Sequence, residues 1–259
     1  MSGWTAQRIS THLDELLSTH QMPDYSGALN GLQFENRAPI RRAAAAVDLS
    51  RRTIEGAAAA DANLLIVHHG MFWGGAQRMV GAPYERVRLL VEHDVALYAS
   101  HLPLDAHPTL GNNALLAKRL QLHPTGGFAR HQTIEIGLQG HSDVPTQALL
   151  DRADALAREH GGNARATEFA AGRVTHRWAV CSGAGASTDT LREARDAGID
   201  TLIVGEGPHH TAVEAPEVGL VIIYAGHYAT ETLGVCALAE HVSVTFGIPW
   251  SFIEAPTGL

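Results

Sequence analysis

Apolar residues recur along this chain in two patterns, which predict helices and strands in alternation. Between residues 5 and 19 they lie three or four positions apart, which predicts an amphipathic helix. Ser50 and Pro83 predict two further helix starts, because serine favours the N-cap position and proline the first turn. Short apolar blocks predict buried strands over residues 42–47, 63–69, 95–99, 173–181, 200–204 and 220–225.

The remaining segments have weaker patterns. Residues 26–33 have the composition of a turn-rich loop, and residues 132–138 alternate in the manner of a half-exposed strand. Asn112 or Asn113 is predicted to cap a helix that runs through Leu120. Other helices are predicted over residues 146–160 and 189–197, with a final helix that ends near residue 242.

Strands alternate with helices in both halves of the chain, which predicts an α/β fold with mixed or mostly parallel sheets flanked by helices. The order of elements is the same in each half, and both halves end in a histidine followed four residues later by a carboxylate. This repetition indicates an internal duplication with pseudo-twofold symmetry. We therefore predict two similar lobes, residues 1–125 and 126–259, which could also count as one domain.

Composition narrows the function classes. With 259 residues, a formal charge of −8 and no run rich in Lys or Arg, the chain is a poor candidate for nucleic-acid binding. It has no apolar run of the roughly 20 residues that a membrane helix needs and no secretory signal at its polar start. We therefore expect a cytoplasmic protein that binds neither membrane nor nucleic acid. Cys181 and Cys236 are expected to be buried free thiols, and the sixteen histidines favour metal binding.

Potential metal ligands follow the ends of the predicted strands, where open α/β sheets bind their ligands. On a helix, His227 and Glu231 would share one face about 6 Å apart, whereas Pro103 favours a turn between His101 and Asp105. Each such pair alone is more often an incidental surface feature, but their joint occurrence favours a metal site in a cleft between the lobes. Mixed imidazole and carboxylate ligands suit zinc, iron, manganese or nickel, and two ions could share a bridging water. The candidate ligands are His68, His69, His101, Asp105, His227 and Glu231.

Four segments together resemble a known family. They are Asn-Gly-Leu-Gln at 30–33, Ile-Val-His-His-Gly-Met-Phe-Trp at 66–73, the segment 100–113 that begins Ser-His-Leu-Pro-Leu-Asp, and Gly-His-Tyr-Ala-Thr-Glu at 226–231. In this order they resemble the GTP cyclohydrolase 1 type 2 homologue family, also called the NGG-interacting-factor-like dinuclear metal proteins. The resemblance extends from about residue 4 to residue 250.

This resemblance implies a two-lobed α/β fold and a dinuclear metal site that faces the cavity of a ring-shaped hexamer. It implies that His101 is a cavity residue beside the metals, with a ligand role left open. Glu206 stands where many members carry Asp, and the histidines at 209 and 210 match their His-His pair. The metal ligands that it implies are His68, His69, Asp105, His227 and Glu231.

Two functions follow from this interpretation. The first is a metal-dependent hydrolase that uses a metal-bridged water, with His101, Glu206 or His210 as general acid or base. A GTP-like purine would be opened in its imidazole ring, although a phosphoester or another cyclic amide would serve equally well. No P-loop is present, so a nucleotide would have to bind through the metals and cavity side chains. The second is a non-catalytic protein that binds or senses metal or acts as an adaptor.

Overall fold

The predicted strands form two separate sheets in the computed structural model, which describes residues 3–73, 75 and 77–259. The described helices are α1 (Ala6–Leu16), α2 (Arg51–Ala59), α3 (Ala82–Glu92), α4 (Leu102–Asp105), α5 (Asn112–Arg119), α6 (Thr146–Glu159), α7 (Thr188–Asp196), α8 (His209–Glu217) and α9 (His227–Phe246). The described strands are β1 (Gly31–Phe34), β2 (Ala43–Asp48), β3 (Leu64–His69), β4 (Ala96–Ala99), β5 (Pro124–His131), β6 (Ile134–Pro145), β7 (Arg165–Ala166), β8 (Val174–Cys181), β9 (Thr201–Val204), β10 (Val221–Tyr224) and β11 (Trp250–Phe252). The mixed α/β class is therefore confirmed.

Contacts divide the chain into two units. The first comprises Met1–Leu104 and Gly234–Ala255, and the second comprises Asp105–Leu233 and Pro256–Leu259. These bounds differ from the predicted lobes 1–125 and 126–259, because residues 105–125 pack in the second unit and residues 234–255 pack in the first. The end of the chain adds β11 to the first sheet. Leu116 of α5 belongs to the core around Trp178 in the second unit.

The first unit contains a sheet in the order β1-β4-β3-β2-β11. Strands β11, β2, β3 and β4 pair in parallel, and β1 pairs antiparallel with β4. Nearly every side chain of β2, β3 and β4 is buried, as their continuous apolar runs predict. Strand β1 overlaps the segment 26–33 that was predicted as a loop. Four residues next to a turn are too few to show the period of a strand. The parallel arrangement brings the carboxyl ends of β3 and β4 to one edge of this sheet.

The second unit contains a sheet in the order β5-β6-β8-β9-β10-β7, in which β8, β9 and β10 are parallel. Strands β5 and β6 form a long antiparallel hairpin, of which the sequence predicted only one short strand. Glycines interrupt the apolar pattern of this hairpin at positions where the neighbouring strand β8 approaches its backbone closely. A Cβ atom on Gly137 would lie 2.4 Å from the Val180 oxygen, and one on Gly140 would lie 2.6 Å from the Trp178 ring. The hairpin therefore depends on tertiary packing that the pattern does not reveal.

In each unit, the helix that follows the strand β2 or β8 begins with the same local structure. Ser50 caps α2 and Ser187 caps α7, each in a capping box with a threonine three residues later. The Thr53 hydroxyl also donates to the Asp48 carbonyl, as the Thr190 hydroxyl does to that of Gly185, both at 2.9 Å. The cap predicted at Ser50 is confirmed, and its repetition at Ser187 supports the inferred duplication.

The predicted cap at Asn112 or Asn113 is wrong. Helix α5 has Gly111 at its N-cap without a side-chain hydrogen bond. The Asn113 amide instead donates to the Ile136 carbonyl and accepts from the Ser182 backbone N–H, at 2.8 and 2.7 Å. Both asparagine side chains are used in tertiary contacts, which local sequence preference cannot predict.

Two other expectations concern membranes and thiols. Within the described residues, no helix combines the length and the apolar character needed to cross a bilayer.

Cys181 and Cys236 are free thiols, as predicted, the first buried and the second partly buried. Burial raises the pKa of both thiols, that of Cys236 to about 12, so neither has the thiolate character of a reactive cysteine.

Candidate metal centre

Three histidines of the first unit converge at the carboxyl ends of β3 and β4. His68 and His69 end β3, and His101 follows β4 immediately before α4. One ligand nitrogen from each residue lies within 4.8 Å of the other two. Neighbouring residues on a regular strand face opposite sides, but β3 ends at this pair and the two ring centroids lie only 4.8 Å apart. The three imidazoles can therefore present donor atoms to a common ion.

Each of these rings is held through the same nitrogen. Nδ1 lies 2.8 Å from an oxygen in all three cases, and a ring whose Nδ1 carries the proton presents the Nε2 lone pair outward. The acceptors are the Ser100 carbonyl for His68, the Asp48 carboxylate for His69 and the Asp24 carboxylate for His101. This pattern is typical of histidines that bind metal through Nε2.

Asp24 is a residue that the sequence analysis missed. Besides His101, it accepts hydrogen bonds from the Asn30 amide at 2.8 Å and the Leu102 N–H at 3.1 Å. Asn30 in turn accepts from the His101 N–H at 2.7 Å. Burial alone would raise the pKa of the Asp24 carboxyl, but the bond and charge of His101 hold it below its usual value. The Asn-Gly motif therefore belongs to a network that orients His101.

Exposed aromatic side chains border the same histidines. The Trp73 ring lies 4.7 Å from His101 and 5.2 Å from His69, centroid to centroid, and 42% of Trp73 is exposed. Tyr25, which is 53% exposed, lies 5.8 Å from His101. The histidine cluster is thus bordered by apolar ring surface as well as by carboxylates.

In the second unit, His227 and Glu231 lie in the first turn of α9. Their i, i+4 spacing places Nε2 3.1 Å from the Glu231 Oε2 atom, as the predicted helix requires. His227 Nδ1 lies 2.8 Å from the Glu206 carboxylate, so this histidine repeats the arrangement of the first unit. Burial alone would lower the pKa of His227, but hydrogen bonds and charge from Glu231 and Glu206 raise it to about 9.

Asp105 is the other buried carboxylate of the second unit. Its Oδ1 atom accepts from the Asn112 amide at 2.8 Å and from the Ser182 hydroxyl at 3.2 Å. These two donors fix the orientation of the carboxylate, and Ser182 was not singled out from the sequence. Its signal is the run Ser-Gly-Ala-Gly directly after β8. Gly183 of that run has φ +60°, and a Cβ atom there would lie 2.1 Å from Glu231 Oε1.

The two remaining predicted acid–base residues of the second unit differ in their surroundings. Glu206 contacts His227, and it therefore orients a candidate ligand. His210 is exposed on the first turn of α8, with its Nε2 atom 3.1 Å from the Thr188 hydroxyl. A catalytic role for Glu206, His210 or His101 stays a prediction.

Comparison with known proteins shows extensive similarity. The profile of the Duf34/NIF3 (NGG1p interacting factor 3) family matches residues 4–257. A GTP cyclohydrolase 1 type 2 homolog from Deinococcus radiodurans is 43% identical over 253 residues, which cover 95% of this chain and 92% of the relative. A homolog of the same description from Pyrococcus abyssi is 41% identical over 254 residues, covering 98% and 99%. The solved structure of TTHA1606 from Thermus thermophilus superimposes with a TM-score of 0.86 at 33% identity, covering 98% of this chain and 100% of that chain.

Proposed function

Since this chain belongs to the Duf34/NIF3 (NGG1p interacting factor 3) family, we propose that it binds two divalent metal ions and acts as a metal-dependent hydrolase. A cluster of histidines and carboxylates that could hold a metal ion supports the first part of this proposal. The description of its relatives as GTP cyclohydrolase 1 type 2 homologs supports the second. The proposed ligands are His68, His69, Asp105, His227 and Glu231.

The observation that carries the proposal is the shared orientation of four histidines. His68, His69, His101 and His227 each place Nδ1 2.8 Å from an oxygen acceptor. Ligand histidines almost always make such a contact. The exposed His176 also places Nδ1 2.8 Å from a carboxylate, that of Asp143, but among the described residues it belongs to no cluster of potential ligands, whereas His68, His69, His101 and His227 do. With buried carboxylates at Asp105 and Glu231, the donor set contains nitrogen and oxygen atoms only. Such a set fits zinc, iron, manganese or nickel.

In the proposed reaction, the bound metals would lower the pKa of a water molecule toward neutrality and so supply the nucleophile. The chain contributes orientation and proton transfer. His101 is the favoured acid–base residue, because its Nδ1 atom is held by the acceptor Asp24 and one of its ring nitrogens lies within 4.8 Å of ligand atoms of His68 and His69. In this proposal Glu206 orients His227 through the hydrogen bond to its Nδ1 atom. The proposed substrate is a purine nucleotide whose imidazole ring is opened.

A non-catalytic role in metal binding, metal sensing or adaptor function is the second candidate. It is favoured by the absence of a P-loop and of any run rich in Lys or Arg, since a triphosphate normally requires such groups. We also propose, from family membership alone, that the chain assembles into a homohexamer. Light scattering coupled to size-exclusion chromatography would give six chain masses if this is correct, and a monomer or dimer would refute it.

Metal content tests the proposed site directly. The protein, purified without added metal or an affinity histidine tag, is expected to contain close to two equivalents of a transition metal per chain by elemental analysis. His227→Ala and Glu231→Ala should lose metal while keeping the circular dichroism spectrum of the wild type. Little metal in the wild type, even after reconstitution with zinc, manganese, iron and nickel, would exclude the dinuclear site.

Activity separates the two candidate functions. Hydrolysis of GTP or of another compound in a panel of cyclic amides and phosphoesters, lost in folded Asp105→Ala, would support the hydrolase. A fully loaded protein that turns over none of these compounds would favour the non-catalytic role.

Glu206 gives a further prediction about the site. Glu206→Ala is expected to weaken metal binding about 10–100-fold, because residues that hydrogen-bond to ligand histidines have effects of this size. Glu206→Gln should lose less, since its amide oxygen can still accept the bond from His227. Titration against a competing chelator measures both affinities. Glu214→Ala, an exposed change on α8, is the matched control, and an equal affinity in all four proteins would contradict the assigned role.

A further inference from the structure

Two histidines of the first unit, outside the candidate metal centre, point their ring nitrogens at each other. The Nε2 atoms of His12 on α1 and His241 on α9 are 2.9 Å apart, with ring centroids 5.2 Å apart and planes inclined by 6°. Because each nitrogen lies about 1.15 Å from the centre of its ring, this combination requires the rings to lie edge to edge in one plane. The pair therefore forms a collinear N–H···N hydrogen bond and is not stacked.

This geometry limits how many protons the pair can carry. One Nε2 atom donates and the other accepts, so a single proton occupies the gap between them. A first added proton goes to an outward-facing Nδ1 atom and leaves the hydrogen bond intact. A second makes both rings imidazolium ions, which carry N–H groups on all four nitrogens, and two N–H bonds would then point at each other. The second proton must therefore break the contact.

The pair lies where α1 meets the C-terminal half of α9. The His12 ring packs edge-on against the Phe246 ring, with centroids 5.2 Å apart, and the Trp4 ring packs against the Phe246 ring at 5.0 Å. The Trp4 indole N–H also donates to the Phe246 carbonyl at 3.0 Å. The Thr245 hydroxyl lies 3.4 Å from His241 Nε2. These contacts hold the two helices together around the histidine pair.

Among the described residues, two of the neighbouring anions, Asp14 and Glu240, are engaged with other partners, and the neighbouring cation Arg8 lies against an aromatic ring. Arg8 lies over the Trp4 ring at 5.0 Å, and Glu240 accepts from the Trp250 indole. Asp14 accepts from Ser10 and Tyr98. Across residues 3–73, 75 and 77–259, no carboxylate hydrogen-bonds to either imidazole. The charged side chains of α1 and of the C-terminal half of α9 are Arg8, Asp14, Glu15, which is exposed, and Glu240; Glu231 lies near the opposite end of α9.

We propose that His12 and His241 form an acid-sensitive latch, which holds α1 against α9 while the pair shares one proton and releases it when both rings are protonated. Burial and the charge of His12 lower the pKa of His241, in agreement with this geometry. Unfolded or undocked histidines take up protons near pH 6.5. The docked state is therefore destabilised relative to the undocked state as the pH falls below that value. The opening of α1 should increase by up to about tenfold per pH unit in this range.

Hydrogen exchange of the full-length protein tests the latch. After correction for the intrinsic pH dependence of exchange, protection of α1 is expected to fall about fivefold between pH 6.5 and pH 5.5, while protection of α2 stays constant. His12→Gln should abolish this fall, because the amide oxygen of glutamine accepts a hydrogen bond from either protonation state of His241. His241→Gln should do the same from the other side.

Two results of this experiment would overturn the latch. One is an equal loss of α1 protection in the wild type and in both glutamine variants, and the other is no loss in the wild type. If neither variant folds, imidazole ¹⁵N shifts of the wild-type chain decide the matter. The pair should bind its second proton below pH 6.5, and two independent titrations near that value would refute the proposal.

Discussion

Gly183→Ala is expected to abolish metal binding in the second unit while leaving the protein folded. An alanine Cβ atom would lie 2.1 Å from Glu231 Oε1 and 3.3 Å from His227 Nε2, so the carboxylate must move away from its histidine. Glu231 is buried, so its carboxylate would have to move among close-packed neighbours. We expect the affinity for metal to fall by at least about 100-fold, the upper range for disturbing a ligand through its neighbours.

Gly172→Ala is the matched control for this change. Both glycines have positive φ angles, +60° and +77°, but no atom lies within 4 Å of a Cβ placed on Gly172. Each substitution should cost about 1–2 kcal/mol through backbone strain, measurable by urea unfolding of the metal-free protein. Only Gly183→Ala should lose metal in a chelator competition. Wild-type affinity in Gly183→Ala would show that Glu231 is not a ligand.

Metal affinity is expected to rise about tenfold per pH unit up to pH 9 and then to level off. The raised pKa of His227, about 9, means that a proton occupies this residue at neutral pH in the metal-free chain. A metal ion must displace that proton, because only neutral imidazole is a ligand. Between pH 6 and pH 9 the affinity should therefore increase by about 1000-fold. Manganese is a suitable probe, measured by competition with a chelator of known proton affinity.

The same pKa has the opposite consequence for the metal-free fold. A folded-state pKa above the ordinary 6.5 gives a stabilisation that is complete below pH 6.5 and is lost as the pH rises through about 9. Glu206→Gln removes one of the two carboxylates that raise this pKa, so its affinity should level off at a lower pH. A wild-type affinity that does not change between pH 7 and pH 9 would contradict this assignment of the proton.

Much of the fold follows from local sequence pattern. The buried parallel strands β2, β3 and β4 are continuous apolar runs, and the serine cap of α2 lies where it was predicted. The strands β1 and β5 and the full length of β6 escaped prediction because their stability comes from pairing and from glycines at close approaches. The return of β11 to the first sheet involves partners about 200 residues apart, which no local pattern encodes.

For the candidate ligands, too, one part follows from the sequence and another part from the tertiary structure. The sequence by itself determined which residues can donate to a metal, because their types and their positions after strands or in one helix turn are local properties. Only the tertiary structure decided which ring nitrogen of each histidine is held by a hydrogen bond and which is left to face a metal ion. Asp24, Asp48 and Glu206 fix the Nδ1 atoms of histidines that are 77, 21 and 21 residues away. Such partners are brought together by the packing of strand ends and loops, and hydrogen bonding over that distance leaves no periodic signal in the chain.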